Sequence, residues 1–208
     1  MKRLGIIGGM SWESTAVYFR YLNEQVKAAV GPMNSAPLLL WAMDFAPLAR
    51  LQAEGEWDEL TELMCEAARA LKAGGAEALV IATNTMHLMA DAVQEAADLP
   101  LIHIADATAG AIRGAGVKKP LLLATRFTME KDFYRLRVEE GASCRVIVPD
   151  EPHRSSIHGI IYNELVQGEL KASSRETYLN VISYYQREHS IDGVIFGCTE
   201  VGLLINQS

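Results

Sequence analysis

Short, unbroken apolar runs that end in glycine or a small polar residue set the strongest constraint on this chain. They include LGII (4–7), APLLLWAMDF (36–45), EALVIATNT (77–85), LPLIHIADAT (99–108), KPLLLAT (119–125), CRVIVPD (144–150) and GVIFGC (193–198). A strand with one wet face alternates apolar and polar residues, whereas an unbroken run needs cover on both faces. Amphipathic stretches lie between the runs. WDELTELMCEAARALKAGG (57–75) places Leu60, Leu63, Met64, Ala67, Ala68 and Leu71 on one helical stripe and closes at Gly74-Gly75. Further helices are expected from the N-cap Ser11 to Val30, over HLMADAVQEAA, from the end of the 99–108 run to Gly114, over 129–140 and within 155–189. The alternation predicts an α/β protein of parallel sheets flanked by helices.

A repeat sharpens this. LGIIGGMS matches LLLATRFT, YFR matches FYR, and ALVIATNT matches GVIFGCTE, all shifted by 115 or 116 residues. Three matches in order at one offset predict two similar lobes related by a pseudo-twofold axis, 1–99 and 100–208, with an active-site cleft between them. The same offset places a counterpart of 99–114 at about 214–229, past Ser208. One strand and one helix of the second lobe are therefore expected to be missing, which exposes a sheet edge and lowers stability.

Composition excludes several classes. A net charge of −7 without a basic block argues against nucleic acid. No apolar run approaches a membrane span, and the N-terminal run breaks at Gly8-Gly9, too early for a signal peptide. The three cysteines, Cys65, Cys144 and Cys198, are scattered, so neither a disulfide framework nor a zinc site is expected and a cytoplasmic setting is. The five histidines have no metal-ligand spacing. GIIGGMS departs from G-x-G-x-x-G, so no dinucleotide is expected, and Lys72 carries no mark of a pyridoxal Schiff base.

Ligands of open parallel sheets sit beyond the carboxyl ends of the strands. Four such ends carry polar residues: Gly8 to Ser11, Thr83 to Thr85, Thr125 to Thr128, and Cys198 to Glu200. Thr83 and Cys198 occupy equivalent places in the two halves and are expected on opposite walls of the cleft. Such a pair suits inversion at a carbon atom, which needs a base on one face and an acid on the other. Cys198 is the candidate base, its thiolate favoured by a helix expected to start at TEVGLL. Asn84, Thr85, Thr125 and Thr199 are suitable donors for a substrate carboxylate. Plainer readings stand beside these. Free cysteine is often a small buried hydrophobe, Cys65 and Cys144 among them. Thr83 and Asn84 can cap the next helix. Asp44, His87 and Glu200 can support the site or serve structure alone.

GIIGGMSWEST, ATNTMH, HIADAT, TRFTMEKDFY and FGCTE resemble the aspartate/glutamate racemase family, most closely its bacterial L-aspartate/glutamate-specific or broad-specificity branch. The resemblance spans essentially the whole chain. It implies a two-lobed, typically dimeric enzyme without cofactor or metal, acting on a small amino acid. It assigns catalysis to Thr83 and Cys198 and substrate contacts to Met10, Gln52, Asn84, Thr85, Thr125 and Thr199, with Ser11, Asp44, His87 and Glu200 in support. Thr83 stands where the wider family has cysteine. A hydroxyl returns a proton more readily than it removes one, so one enantiomer is expected to be the preferred substrate. Arg50 lies near the place of an arginine that holds a side-chain carboxylate in some relatives, and Val166 stands where they carry a lysine. Two alternatives remain: a dicarboxylate isomerase or decarboxylase of the same superfamily, and a small-molecule-binding protein with little turnover.

Overall fold

The computed structural model describes residues 1–205. The chain forms two compact units, Met1 to His103 and Ile104 onward. Each is a parallel sheet flanked by helices, and no helix is long and apolar enough to cross a membrane.

The first unit runs β1 (Leu4–Gly8), α1 (Trp12–Val30), β2 (Leu38–Ala42), α2 (Phe45–Glu54), α3 (Trp57–Ala73), β3 (Ala78–Ile81), a 3-10 turn (Thr85–Met89) and α4 (Ala90–Ala97). The strands lie in the order β2-β1-β3, with Leu4 level with Leu38 and with Ala78. Ile7, Leu79 and Ile81 of the sheet pack with Leu60, Met64, Ala68 and Leu71, the stripe of α3 read from the sequence. The edge strand β2 departs from the expectation of two covered faces, because Leu40 and Trp41 are exposed.

The second unit runs α5 (Ile104–Ala115), β4 (Pro120–Leu123), α6 (Arg126–Glu130), α7 (Asp132–Ala142), α8 (His153–Asn163), a 3-10 turn (Leu165–Gln167), α9 (Ala172–His189), β5 (Gly193–Phe196) and α10 (Val201–Leu204). β4 pairs with β5, Leu123 level with Phe196. Leu121, Leu122 and Leu123 sit in a core with Tyr134, Val138, Ile157, Ile161, Tyr178 and Tyr185.

Several expectations are corrected. The runs 99–108 and 144–150 are not full strands; each contributes one isolated bridge, Leu79 with Leu101 and Leu121 with Ile147. Pro100 lacks an N–H for a ladder and α5 starts at Ile104, while Pro149 limits the other run. The helix expected over 129–140 is two helices, because Lys131 is extended. α2 was not expected. It is capped by Asp44, whose side chain accepts from the Ala46 N–H at 3.2 Å, and ends at Gly55 in the left-handed region.

Gly9 shapes the turn after β1. Its φ is +89°, and a Cβ there would fall on the Met43 backbone. Gly9→Ala is expected to cost at least about 2 kcal/mol through strain and overpacking. A lowered denaturant midpoint checks this, and an unchanged midpoint contradicts it.

Candidate active site

In the first unit, β1 and its neighbours are locked together at their carboxyl ends. The Met43 N–H donates to the Gly8 carbonyl and the Ala82 N–H to the Ile7 carbonyl, both at 2.9 Å. The turn beyond β1 is buried and satisfied. Thr15 Oγ1 accepts from the Gly9 N–H at 2.8 Å and donates to the Ser11 carbonyl at 2.9 Å. Ser11 caps α1 as expected, accepting from the Ser14 N–H at 3.3 Å. Met10 is buried beside this turn.

Thr83 and Asn84 follow β3. Thr83 is partly exposed, and its carbonyl lies 2.8 Å from His87 Nδ1. A carbonyl only accepts, so Nδ1 carries the proton of that bond. His87 is buried and packs against the His103 ring at 4.5 Å between centroids. It therefore fixes the backbone that presents Thr83. Asn84 is only 5% exposed, yet its Oδ1 has no hydrogen-bond partner. It precedes the 3-10 turn without a side-chain cap bond, against the capping expectation. Thr85 is buried beside it. Gln52, from α2, is buried and donates through Nε2 to Met86 Sδ at 3.2 Å. Asp44 caps α2 at the surface, and Arg50 is exposed.

In the second unit, pairing of β4 with β5 brings Thr125 and Cys198 to adjacent strand ends. Thr125 Oγ1 lies 3.4 Å from Thr128 Oγ1, and both are buried. Gly197 permits the approach, because a Cβ there would lie 2.8 Å from Ala124 Cβ and from Leu122 Cδ1. Cys198 is partly buried and donates to Glu200 Oε2 at 2.9 Å, and the Thr199 hydroxyl donates to the same oxygen at 2.9 Å. Glu200 is 4% exposed.

The electrostatics overturn one expectation. Burial pushes the Cys198 thiol well above its ordinary range, the Glu200 carboxylate pushes it the same way, and the Glu200 backbone N–H that favours the thiolate is outweighed. The helix meant to favour the thiolate, α10, has only 4 residues, too few for a strong dipole. Burial likewise raises the Tyr162 and Tyr178 phenols, and negative charge on Cys198 adds to both.

Two features were not singled out from the sequence. His158 Nδ1 accepts from the Arg126 N–H at 3.3 Å, and its ring lies tilted against Tyr162 with the centroids 4.6 Å apart. Tyr178 is fully buried with a hydroxyl that lacks a partner. An i, i+4 apolar pattern hides such roles, since a core tyrosine reads only as bulk. Val166 sits in the 3-10 turn and packs on the core. Among the described residues, no group of three or more His, Cys, Asp or Glu could hold a metal ion.

Placed beside known proteins, this α/β arrangement is that of the amino-acid racemases. The chain belongs to the Asp/Glu/Hydantoin racemase family, whose model matches residues 7–208. A solved protein from Yersinia pestis, provisionally classed as an Asp/Glu racemase, is 47% identical with a TM-score of 0.89 over 100% of this chain and 90% of that one. An aspartate racemase homologue from Pyrococcus horikoshii is 36% identical with a TM-score of 0.82 over 100% and 89%. The Picrophilus torridus aspartate racemase, 22% identical with a TM-score of 0.76 over 100% and 85%, shares the fold. The function is accordingly of the racemase type, and the protein is an isomerase.

Since Asn84 Oδ1 has no partner among the described residues, Asn84→Ala is expected to be close to neutral for stability, as removal of an unsatisfied buried group usually is. Thermal unfolding checks this: a melting temperature near wild type is expected, and a clear drop would assign Asn84 a structural role.

Proposed function

We propose that the protein inverts the Cα of aspartate, glutamate or a similar amino acid without a cofactor. Cys198 removes the Cα proton and Thr83 returns one from the opposite side. The observation that carries this is Cys198 at the carboxyl end of β5, a partly exposed residue whose thiol donates to a buried carboxylate. The names of the two relatives above 30% identity support the choice of acidic substrates. Met10, Gln52, Thr85, Thr125 and Thr199 are proposed as substrate contacts. Asn84 joins them as an acceptor for the substrate ammonium, which its unpartnered Oδ1 supports. Ser11, Asp44 and His87 hold these groups in place through the cap and backbone bonds described above.

Chiral chromatography after incubation with L- or D-aspartate and L- or D-glutamate tests the reading. Wild type is expected to generate the opposite enantiomer. Cys198→Ser is expected to lose at least about a hundredfold in rate, and Thr83→Cys to speed the slower direction. Undiminished turnover by Cys198→Ser would sink the proposal. A second reading, amino-acid binding with little turnover, is favoured by the raised thiol pKa. It predicts binding without inversion.

The proposal extends to a cytoplasmic homodimer. Support for cytoplasmic residence comes from the free cysteines Cys65, Cys144 and Cys198. Support for self-association comes from exposed Trp12 and Phe19 of α1 and Leu40 of β2, which line an open apolar groove of about 430 Å³. Light scattering is expected to read twice the 22.8 kDa chain mass, with Phe19→Glu returning it to one. A wild-type monomer contradicts this.

A further inference from the structure

We infer that Cys198 and Glu200 share a single exchangeable proton, and that Glu200 receives it when the thiolate forms. The inference rests on Cys198 being the base of the proposed reaction. Glu200 is then a positioning residue that acts through sulfur, a role no comparison assigns.

Three observations carry it. Cys198 Sγ lies 2.9 Å from Glu200 Oε2, within reach of direct proton transfer. Glu200 is 4% exposed, so bulk water does not compete for its carboxylate. The Thr199 hydroxyl donates to the same oxygen at 2.9 Å and steadies the carboxylate beside the thiol. Burial disfavours any net negative charge, and it does so whichever of the two groups carries it. The pair therefore titrates as a unit. Moving the proton from sulfur to oxygen leaves the total charge unchanged and shifts its position. An α-ammonium group beside Cα sits nearer the sulfur than the carboxylate and pulls the charge toward sulfur.

The step balances. The S–H bond breaks with its electron pair left on sulfur, and a carboxylate lone pair forms O–H on Glu200. The thiolate then forms a new S–H bond with the Cα proton, and the C–H pair passes into the substrate carboxylate. The Thr83 O–H then gives its proton to Cα from the other side, and its oxygen regains one from solvent. The extra proton on Glu200 leaves to solvent as the product departs and water enters. Other titratable groups facing the sulfur are Tyr162 of α8 and Tyr178 of α9, both held protonated by burial. Arg126 acts on Tyr162 and Glu164 on Tyr178. The thiol donates its side-chain hydrogen bond to Glu200.

Glu200→Gln keeps the shape and removes the proton acceptor. Two effects of opposite sense are expected. The Cys198 thiol, followed by thiolate ultraviolet absorbance against Cys198→Ser, titrates at lower pH than in wild type, because the charge that opposes ionisation is gone. Racemisation nevertheless slows by roughly a hundredfold or more, with the loss in kcat rather than KM. Glu200→Asp restores part of the rate, and circular dichroism confirms the fold of each variant. A thiol titration unmoved by Glu200→Gln, or a rate that holds or rises, overturns the inference. Failure of the parent reading looks different: Cys198→Ser then racemises like wild type. The thiol titration needs no turnover, so it reads the pair in either case.

Discussion

Parallel strand pairing is the constraint on which the rest depends. In a parallel ladder, neighbouring strands run the same way, so their carboxyl ends finish on one edge. Gly8 of β1 therefore ends beside Ala42 of β2, Ile7 beside Ile81 of β3, and Leu123 of β4 beside Phe196 of β5. The chain must leave each strand end and cross over through a helix. The residues at the exit, Met10 and Ser11, Thr83 to Thr85, Thr125, and Cys198 to Glu200, lie between a strand end and the helix or turn that follows, and Ser11 caps its helix through its side chain. Small and polar residues there fit the tight exit and put polar groups at the strand ends.

At Cys198 two physical effects compete. The turn offers a backbone N–H that stabilises the thiolate, while burial and the Glu200 carboxylate stabilise the thiol, and the latter prevail. A resting thiolate is therefore disfavoured here. A buried sulfur that rests protonated is protected from oxidation and metal capture. In the proposed reaction it becomes a base once charge rearranges around it. The hydroxyl of Thr83 has no comparable route to an anion, because the bond from His87 goes to its carbonyl.

Much of the fold was legible because unbroken apolar runs have few other uses. β2, β3, β4 and β5 fall within the predicted runs, β1 exceeds its run by Gly8 alone, and the α3 stripe matches the buried set except at Leu63, which is partly buried. Leu101 and Ile147 were over-read, since prolines beside them prevent a ladder that hydropathy alone implies. α2 was missed although Asp44 followed by Pro47 in the first turn is a start signal; only its first residue, Phe45, falls in the β2 run, and its buried positions Leu48, Leu51 and Gln52 make a short stripe interrupted by a polar residue. The strand-end groups were legible as a set. Their bonding was not: the Cys198–Glu200 contact depends on a turn two residues long, and the contact between His87 and His103 depends on how the chain returns after α4. The lowered thiol pKa inferred from a helix start failed because the helix is a single turn and the sulfur is buried.

Deuterium incorporation at Cα, followed separately from the L and the D enantiomer of one amino acid in heavy water, tests the central claim most directly. The account requires unequal rates, because a cysteine with a proton-accepting partner and a threonine without one differ as bases. Equal rates from the two enantiomers, or exchange that persists undiminished in Cys198→Ser, would contradict it.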